Sequence, residues 1–512
     1  MGDRTKKSFL NIGSNFLIMI IKTILTFVTR TVFIHCLGEE ALGLNGLFTN
    51  VLSMLSLAEL GVSTAINFSL YEPLAKKDKK KISELMSFYR KAYTVIGIIV
   101  GVVGIILIPF LKYIINDIEN IDNVYLIYIL YLINTVSTYF IAYKETLINA
   151  DQKGYKLAGI QFIGLVALNI FQIIFLILTK NFIVYLVVQF ITLFIQRVVT
   201  NIYITKNYND IDFNCKEKIE KKDLQVIVKN VKAMFFHKIG DYCINSTDNL
   251  IISAFINVAT VGIYSNYLTI INLLNNFINM IYNGLGASLG NLVATESNDK
   301  KEEIFKKMNF IAFCIYGLCS VCMITVFNDF IQIWIGDKYC LSLSIVIMIV
   351  INFYLTGMRV PSSTMKSSAG LFDVDKYTPI LQSIINLVVS IILVQKMGLM
   401  GVLIGTFISS IAIPSWQRPY LIYKYILKKS SKKYFIEFFK YVAILIGCTV
   451  LALVINNLIT FSNLYIQFVV KGIITASIFA ISVIVIYRKT DEFKYIINTI
   501  SNLFRRKICK KA

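Results

Sequence analysis

Histidine is nearly missing from this chain. Only His35 and His237 occur among 512 residues, which excludes a multi-histidine metal site. Other signatures of catalysis are missing too, since no Walker A motif, no HExxH and no GxSxG occurs. The chain is therefore not expected to be an enzyme, to hydrolyse ATP, or to hold a metal or organic cofactor. Acidic residues are scarce: 30 Asp and Glu against 51 Lys and Arg leave a net charge of +21. Such an excess suggests nucleic acid at first sight, but its placement argues against that partner. The 9 cysteines are scattered, and Cys319 and Cys322 form a CxxC on an apolar run with no second pair, so packing is favoured over metal or redox work. No cleaved signal peptide is expected. Met1 to Lys7 is polar and basic, and the apolar run that follows has neither a short core nor a small-residue cleavage site.

What the chain does have is apolar length. Hydrophobic residues make up 56% of it, with a mean hydropathy of +0.68, more than a soluble fold can hide and no more than lipid can cover. A bilayer core about 30 Å thick needs roughly 20 apolar residues per helical crossing, and about fourteen such stretches recur from Ser8 to Tyr487. The expected class is an all-α polytopic membrane protein. Lysine clusters at Lys76 to Lys81, Lys216 to Lys222, Lys300 to Lys307 and Lys428 to Lys433 fall in every second loop, whereas the loops between carry isolated cations such as Lys112, Lys180, Lys338 and Lys396. Excess Lys and Arg marks the cytoplasmic side, which places both termini there. The charge thus answers to membrane topology, with the bilayer as partner and no nucleic acid.

The polar residues divide the chain. The first two expected crossings, 9–35 and 41–70, carry stripes at helical spacing: Asn11, Asn15, Lys22, Thr26, Thr29 and Arg30, then Asn45, Thr49, Ser53, Ser56, Ser63 and Asn67 beside Glu59. The seventh carries His237, Asp241, Asn245 and Asp248, and the eighth Ser265, Thr269, Asn272, Asn276, Asn279 and Asn283. The fourth, with Asn134, Thr138, Glu145 and Asn149, is echoed by the tenth, with Asn352, Thr356, Arg359, Ser363 and Lys366. Leu42-Gly43-Leu44 opens the second crossing and Val261-Gly262-Ile263 the eighth. Weak parallel symmetry of this kind marks transporters built from two repeats. The expected division is 1–232 as a first lobe with a charged linker from about Lys206 to Lys232, 233–434 as a second lobe, and 435–512 as two further crossings with a basic tail. In that tail Phe493, Ile496, Ile497, Ile500, Leu503 and Phe504 share a face opposite Arg505, Arg506 and Lys507, which suits a helix on an anionic inner leaflet or a solubilising tail.

Charge inside the hydrocarbon is the sharpest local signal, because an Arg, Lys or Asp at a helix centre costs roughly 2.5–3.5 kcal/mol on insertion scales. Such groups persist where they face water, a partner or a substrate. Lys22, Arg30, Arg359 and Lys366 are candidate anion-binding groups, and the competing reading is ion pairing with Glu59, Asp241 or Asp248. Glu59, Glu145, Asp241 and Asp248 are candidates for H⁺ or Na⁺ coupling, if coupling exists at all. Asn45, Asn272 and Asn276 suit a many-hydroxyl ligand such as a sugar, although Asn also bonds helices to one another. Lys144, Arg197 and Arg418 read as side chains snorkelling to the interface.

One set of segments is familiar. Arg30-Thr31-Val32-Phe33-Ile34, Leu37-Gly38-Glu39-Glu40-Ala41-Leu42-Gly43-Leu44-Asn45-Gly46-Leu47-Phe48, Ser56-Leu57-Ala58-Glu59-Leu60-Gly61 and Ser69-Leu70-Tyr71-Glu72-Pro73-Leu74-Ala75 together resemble bacterial Wzx-like oligosaccharide flippases. Asn149-Ala150-Asp151-Gln152-Lys153-Gly154-Tyr155 and Thr247-Asp248-Asn249-Leu250-Ile251-Ile252 extend the likeness. The resemblance implies the fold of multidrug (MATE) exporters and lipid II flippases, with two six-helix lobes around a central cavity plus two C-terminal helices. It also implies a bacterial plasma-membrane protein whose cargo is an undecaprenyl-pyrophosphate-linked oligosaccharide, working beside a polysaccharide polymerase and glycosyltransferases. The site residues named above rest on stripes and charges, not on the resemblance. Two rivals remain: a multidrug antiporter of the same fold, and a membrane polymerase or glycosyltransferase.

Overall fold

A computed structural model describes residues 3–508 apart from 56–61, 117, 152, 216–218, 222–223, 226, 229–230, 232–246, 372 and 460. Among the described residues there is no strand, and eleven helices are long and apolar enough to cross a membrane. Large apolar side chains face outward along them, Ile163 being 69% and Leu178 74% exposed, which only a hydrocarbon surround makes favourable.

Contacts divide the chain into two compact units, Met1–Ser265 and Asn266–Ala512. The first holds α1 (Asp3–Leu55), α2 (Val62–Lys76), α3 (Lys79–Leu107), α4 (Val124–Ala150), α5 (Tyr155–Thr179) and α6 (Phe182–Asn207). It also takes a helical run over 247–255 and the first turns of α7 (Val258–Thr295). The two crossings expected at 9–35 and 41–70 meet without a loop. The first and the start of the second, to Leu55, are arms of α1, joined at Gly38, where φ 82° and ψ −169° lie in a region open essentially to glycine alone.

The glycines of the two echoed tripeptides meet each other. A Cβ on Gly43 would lie 2.0 Å from the Val258 carbonyl oxygen, and one on Gly262 would lie 2.3 Å from that of Glu39. Two helix backbones approach this closely only where small residues face each other.

A second core joins α3 and α4 through Leu85, Tyr89, Tyr93, Tyr139, Tyr143 and Leu147, with Ile211 and Phe213 buried against them. Ser87 Oγ donates to the Cys215 carbonyl oxygen at 2.7 Å, and Asp212 N–H donates to Ser83 Oγ at 3.0 Å. The start of the expected linker is therefore packed structure, because its two apolar residues are worth more buried than solvated.

The second unit holds the rest of α7, then α8 (Asn298–Ile335), α9 (Leu343–Met358), α10 (Val360–Ser368), α11 (Thr378–Met397), α12 (Leu399–Ala412), α13 (Pro414–Leu421), α14 (Lys432–Asn457), α15 (Leu464–Tyr487) and α16 (Asp491–Ile508). Two expected crossings are broken here. Pro361 sits at the start of α10 and Pro414 opens α13, and a proline both lacks an amide donor and crowds the preceding turn. The last two crossings, α14 and α15, pack on α8. Phe313 stacks on Tyr441 with ring centroids 4.2 Å apart, and Lys471 pairs with Asp329 at 3.3 Å. The basic tail is helical as α16, and Lys307 Nζ lies 4.5 Å from the centre of its Tyr495 ring.

Candidate functional site

Each unit encloses a polar cavity among its membrane-spanning helices. The cavity of the first unit measures about 670 Å³. Thr26, Thr29, Arg30, Asn45 and Thr49 reach it from α1, Tyr131, Thr138 and Glu145 from α4, Gln161, Asn169 and Gln172 from α5, and Tyr185, Gln189, Gln196 and Arg197 from α6. Tyr131, Thr138 and Glu145 follow one another at seven residues, and Thr26 and Arg30 on one arm of α1, like Asn45 and Thr49 on the other, are about one turn apart, so one face of each helix turns inward.

Hydrogen bonds fix the walls. Thr29 Oγ1 donates to Asn169 Oδ1 at 2.6 Å, Tyr131 Oη to Asn45 Oδ1 at 2.6 Å, and Arg30 Nη2 to Ser265 Oγ at 2.7 Å. Arg197 donates to Ser137 Oγ at 2.5 Å and to Asn134 Oδ1 at 3.2 Å. The partners in these contacts are neutral side chains. Glu145 faces the same space, within electrostatic reach of Arg197. The result is a chamber rich in amides and hydroxyls, each offering a donor and an acceptor, with two cations and one acid in its lining.

The cavity of the second unit measures about 560 Å³ and is lined by Asn279, Thr356, Arg359, Ser363, Thr364, Ser367, Ser368 and Arg418, with Val360. No carboxylate lines it among the described residues. Both arginines sit close to prolines. Arg359 is the residue between α9 and α10, two before Pro361, and Arg418 immediately precedes Pro419 inside α13. Arg359 donates to Ser410 Oγ and, at 3.0 Å, to Thr356 Oγ1, while Arg418 donates to Ser363 Oγ at 2.8 Å. The buried Nε of Arg359 finds no partner among the described residues. Two guanidinium groups in one hydroxyl-lined cavity, with no acid among the described residues, have the chemistry to hold an anion with several oxygens, because each fork can hold two of them in parallel.

The residues expected from the sequence separate into groups. Arg30, Asn45 and Glu145 line the first cavity and Arg359 the second. Lys22 is exposed on α1, one turn before Thr26 and outside the lining. Lys366 is engaged elsewhere, with its Nζ 2.7 and 2.6 Å from the two carboxylate oxygens of buried Asp375. Asn272 and Asn276 lie on an exposed face of α7, and Asp248 is half-buried within electrostatic reach of Tyr264. Glu59, Asp241 and His237 lie outside the described residues.

Sequence reasoning missed two arginines, Arg197 and Arg418, which turn into cavities instead of snorkelling. It also missed the glutamines of α5 and α6. Gln161, Gln172, Gln189 and Gln196 are separated by 11 and by 7 residues along their helices, a spacing that would have revealed one face on each. Lys144 is likewise held inside, with Nζ donating to Asn201 at 2.5 Å and to Thr205 at 2.8 Å.

A family model described as polysaccharide biosynthesis protein matches residues 9–285, more than half of the chain. The chain belongs to the polysaccharide biosynthesis protein family. No curated protein matches it at a significant level. Among solved structures it is similar to the lipid II flippase MurJ in an inward closed conformation, with TM-score 0.61 and 13% identity over 92% of this chain and 99% of that one. It is also similar to an inward-facing multidrug resistance MATE transporter of the MOP superfamily, with TM-score 0.59 and 17% identity over 76% of this chain and 92% of that one. A MATE transporter of Vibrio cholerae follows, with TM-score 0.57 and 11% identity over 80% and 95%. At such identities the likeness establishes the fold. This polysaccharide biosynthesis family member is an all-α membrane protein with the architecture of MOP superfamily transporters.

Proposed function

We propose that this protein is a flippase for undecaprenyl-pyrophosphate-linked oligosaccharide, moving it from the inner to the outer leaflet of the bacterial plasma membrane for assembly of a surface polysaccharide. The observation that carries the reading is the pair of Arg359 and Arg418 in a hydroxyl-lined cavity with no acid among the described residues. A sugar-diphosphate headgroup crossing bare lipid would desolvate a dianion and many hydroxyls, each hydroxyl alone costing roughly 2–7 kcal/mol without a replacement bond. Two guanidinium forks replace the water around the diphosphate, and the hydroxyls beside them suit the sugar next to it. Alternating access would expose these groups to each side in turn.

The lysine-rich loops orient both termini to the cytoplasm on this reading. A polymerase and glycosyltransferases would work on either side of the step. Coupling to H⁺ or Na⁺ would fall to Glu145 or Asp248, the described acids on the polar stripes. A multidrug antiporter would take largely cationic cargo, for which Arg30 and Arg197 beside Glu145 are a liability.

The test is the set of polyprenyl-linked glycans that accumulates on depletion of this protein, with their leaflet assigned. Completed units trapped on the cytoplasmic leaflet support the flippase. Truncated glycans point to a glycosyltransferase, single units stranded outside to a polymerase, and unchanged glycans with raised drug sensitivity to an exporter.

A further inference from the structure

The second unit carries another recess, whose lining shares no residue with the arginine cavity. It measures about 340 Å³ and opens at the end of the helices where the lysine runs Lys300 to Lys307 and Lys428 to Lys433 lie. Ligand pockets begin at about 300 Å³ and are mostly apolar, with a few placed polar groups. Here Phe305, Phe310, Tyr434, Phe438, Tyr441 and Tyr487 supply the walls. Tyrosines at the end of a membrane span commonly form a belt at the interface with lipid. Tyr441 and Tyr487 turn inward instead, being 5% and 6% exposed with ring centroids 5.9 Å apart.

Two carboxylates reach this tyrosine pair from different helices. Glu437 on α14 accepts from the Tyr487 hydroxyl at 3.0 Å, and Glu492 at the start of α16 is within electrostatic reach of both tyrosines. Glu492 forms no ion pair among the described residues, and neither does Lys433, which lines the same recess from the first turn of α14. The other two lysines of the lining are already paired, Lys306 with Glu302 at 2.9 Å and Lys440 with Glu437 at 3.1 Å. The second of these pairs is open to solvent and therefore weak. Asn309 also lines the recess. It is buried, and its Oδ1 finds no donor among the described residues, which calls for one from outside the chain.

We infer that this recess binds a zwitterionic headgroup bearing a primary ammonium and a phosphate, the chemistry that an aminophospholipid presents. The ammonium sits at Tyr441 and Tyr487 beside Glu437 and Glu492, where ring faces and carboxylates both favour a cation. Lys433 takes the phosphate as a point charge. A purely anionic headgroup would meet two carboxylates, and a bare amine would leave Lys433 to solvent, so a zwitterion alone answers both signs. The depth is that of lipid headgroups, since the span of α14 begins at Lys432 and that of α15 ends at Tyr487. A headgroup held there ties α8, α14 and α16 together at one point. The inference stands apart from whichever cargo the polar cavities carry.

The purified full-length protein in detergent would be titrated with phosphatidylethanolamine, phosphatidylglycerol and soluble phosphoethanolamine, with bound molecules counted by native mass spectrometry. The expected result is one phosphatidylethanolamine retained several-fold above phosphatidylglycerol. Glu492→Gln should remove that excess without lowering phosphatidylglycerol, and Lys433→Gln should lower both. Neither side chain has an ion-pair partner to lose, so both variants should melt as the wild type does. Equal retention of the two lipids with no phosphoethanolamine adduct overturns the inference, and so does an excess that both variants keep. One phosphoethanolamine adduct that Glu492→Gln loses, with the two lipids retained equally, upholds the chemistry and assigns it to a soluble ligand. A polyprenyl-linked glycan result on depletion moves none of these readouts, so the flippase reading and this site stand or fall separately.

Discussion

The two polar cavities are built by the same device, a stripe of hydrophilic residues turned inward on apolar helices, yet they solve different chemical problems. That of the first unit is lined by amides, hydroxyls and two tyrosines, with Arg30 in the lining and Glu145 within electrostatic reach of Arg197. Its donors and acceptors are numerous and its charge is partly offset. That of the second unit has hydroxyls, one asparagine and two arginines, with no acid among the described residues. One environment suits many weak neutral bonds, the other a few strong charged ones. A cation in a membrane helix therefore says little until its neighbours are known.

Lys366 sharpens that point and gives the largest expected effect. Its ammonium is paired with buried Asp375, so Lys366→Met leaves an uncompensated carboxylate and should cost about 3–5 kcal/mol of stability. Adding Asp375→Leu should recover most of it. Thermal unfolding in detergent reads both. If the single variant is as stable as wild type but loses binding of a diphosphate probe, Lys366 belongs with the cavity cations after all.

Arg359→Gln comes next. Truncating one hydrogen-bonded cation of a desolvated charged contact should weaken binding of a polyprenyl diphosphate without sugar by about 2–5 kcal/mol, roughly thirtyfold or more. Arg359→Lys should restore only part of this, because an ammonium is a point charge and not a fork. A loss no greater than that of Arg30→Gln would erase the contrast between the cavities.

Gln189→Ala should be milder. It removes neutral bonds worth about 0.5–1.5 kcal/mol and should weaken the glycan-bearing carrier while leaving the sugarless probe unaffected. Equal weakening of both would mean that the first cavity does not read sugars. Lys22→Gln should be smallest, under about 1 kcal/mol on either ligand, as for an exposed single charge. Titration of the two ligands against each variant checks the whole series.

Hydropathy and lysine spacing make the class legible from the residues alone, because length in hydrocarbon and loop charge are additive properties of the chain. Side-chain direction is not additive. Arg197 and Arg418 look like interface residues beside Lys144, and only packing shows that hydroxyls and amides hold them inward. Lys366 and Asp375 are nine residues apart, on opposite sides of a turn that the sequence does not draw. Asn272 and Asn276 show the converse. Their stripe is as regular as any in the chain, but regularity fixes a common face without telling what that face looks upon. At Gly38 the tetrapeptide Gly-Glu-Glu-Ala reads as a short polar loop, where the backbone instead turns at one residue and resumes its helix.

That single-residue elbow has a mechanical meaning. Two helical arms joined by a loop can drift apart, tilt separately and lose each other's motion in the slack. Arms joined through Gly38 share one pivot with two rotatable bonds, so displacing either arm applies torque to the other. One arm carries Arg30 and the other Asn45, both facing the same chamber. A ligand that draws on one of these residues works a crank whose far end is the other.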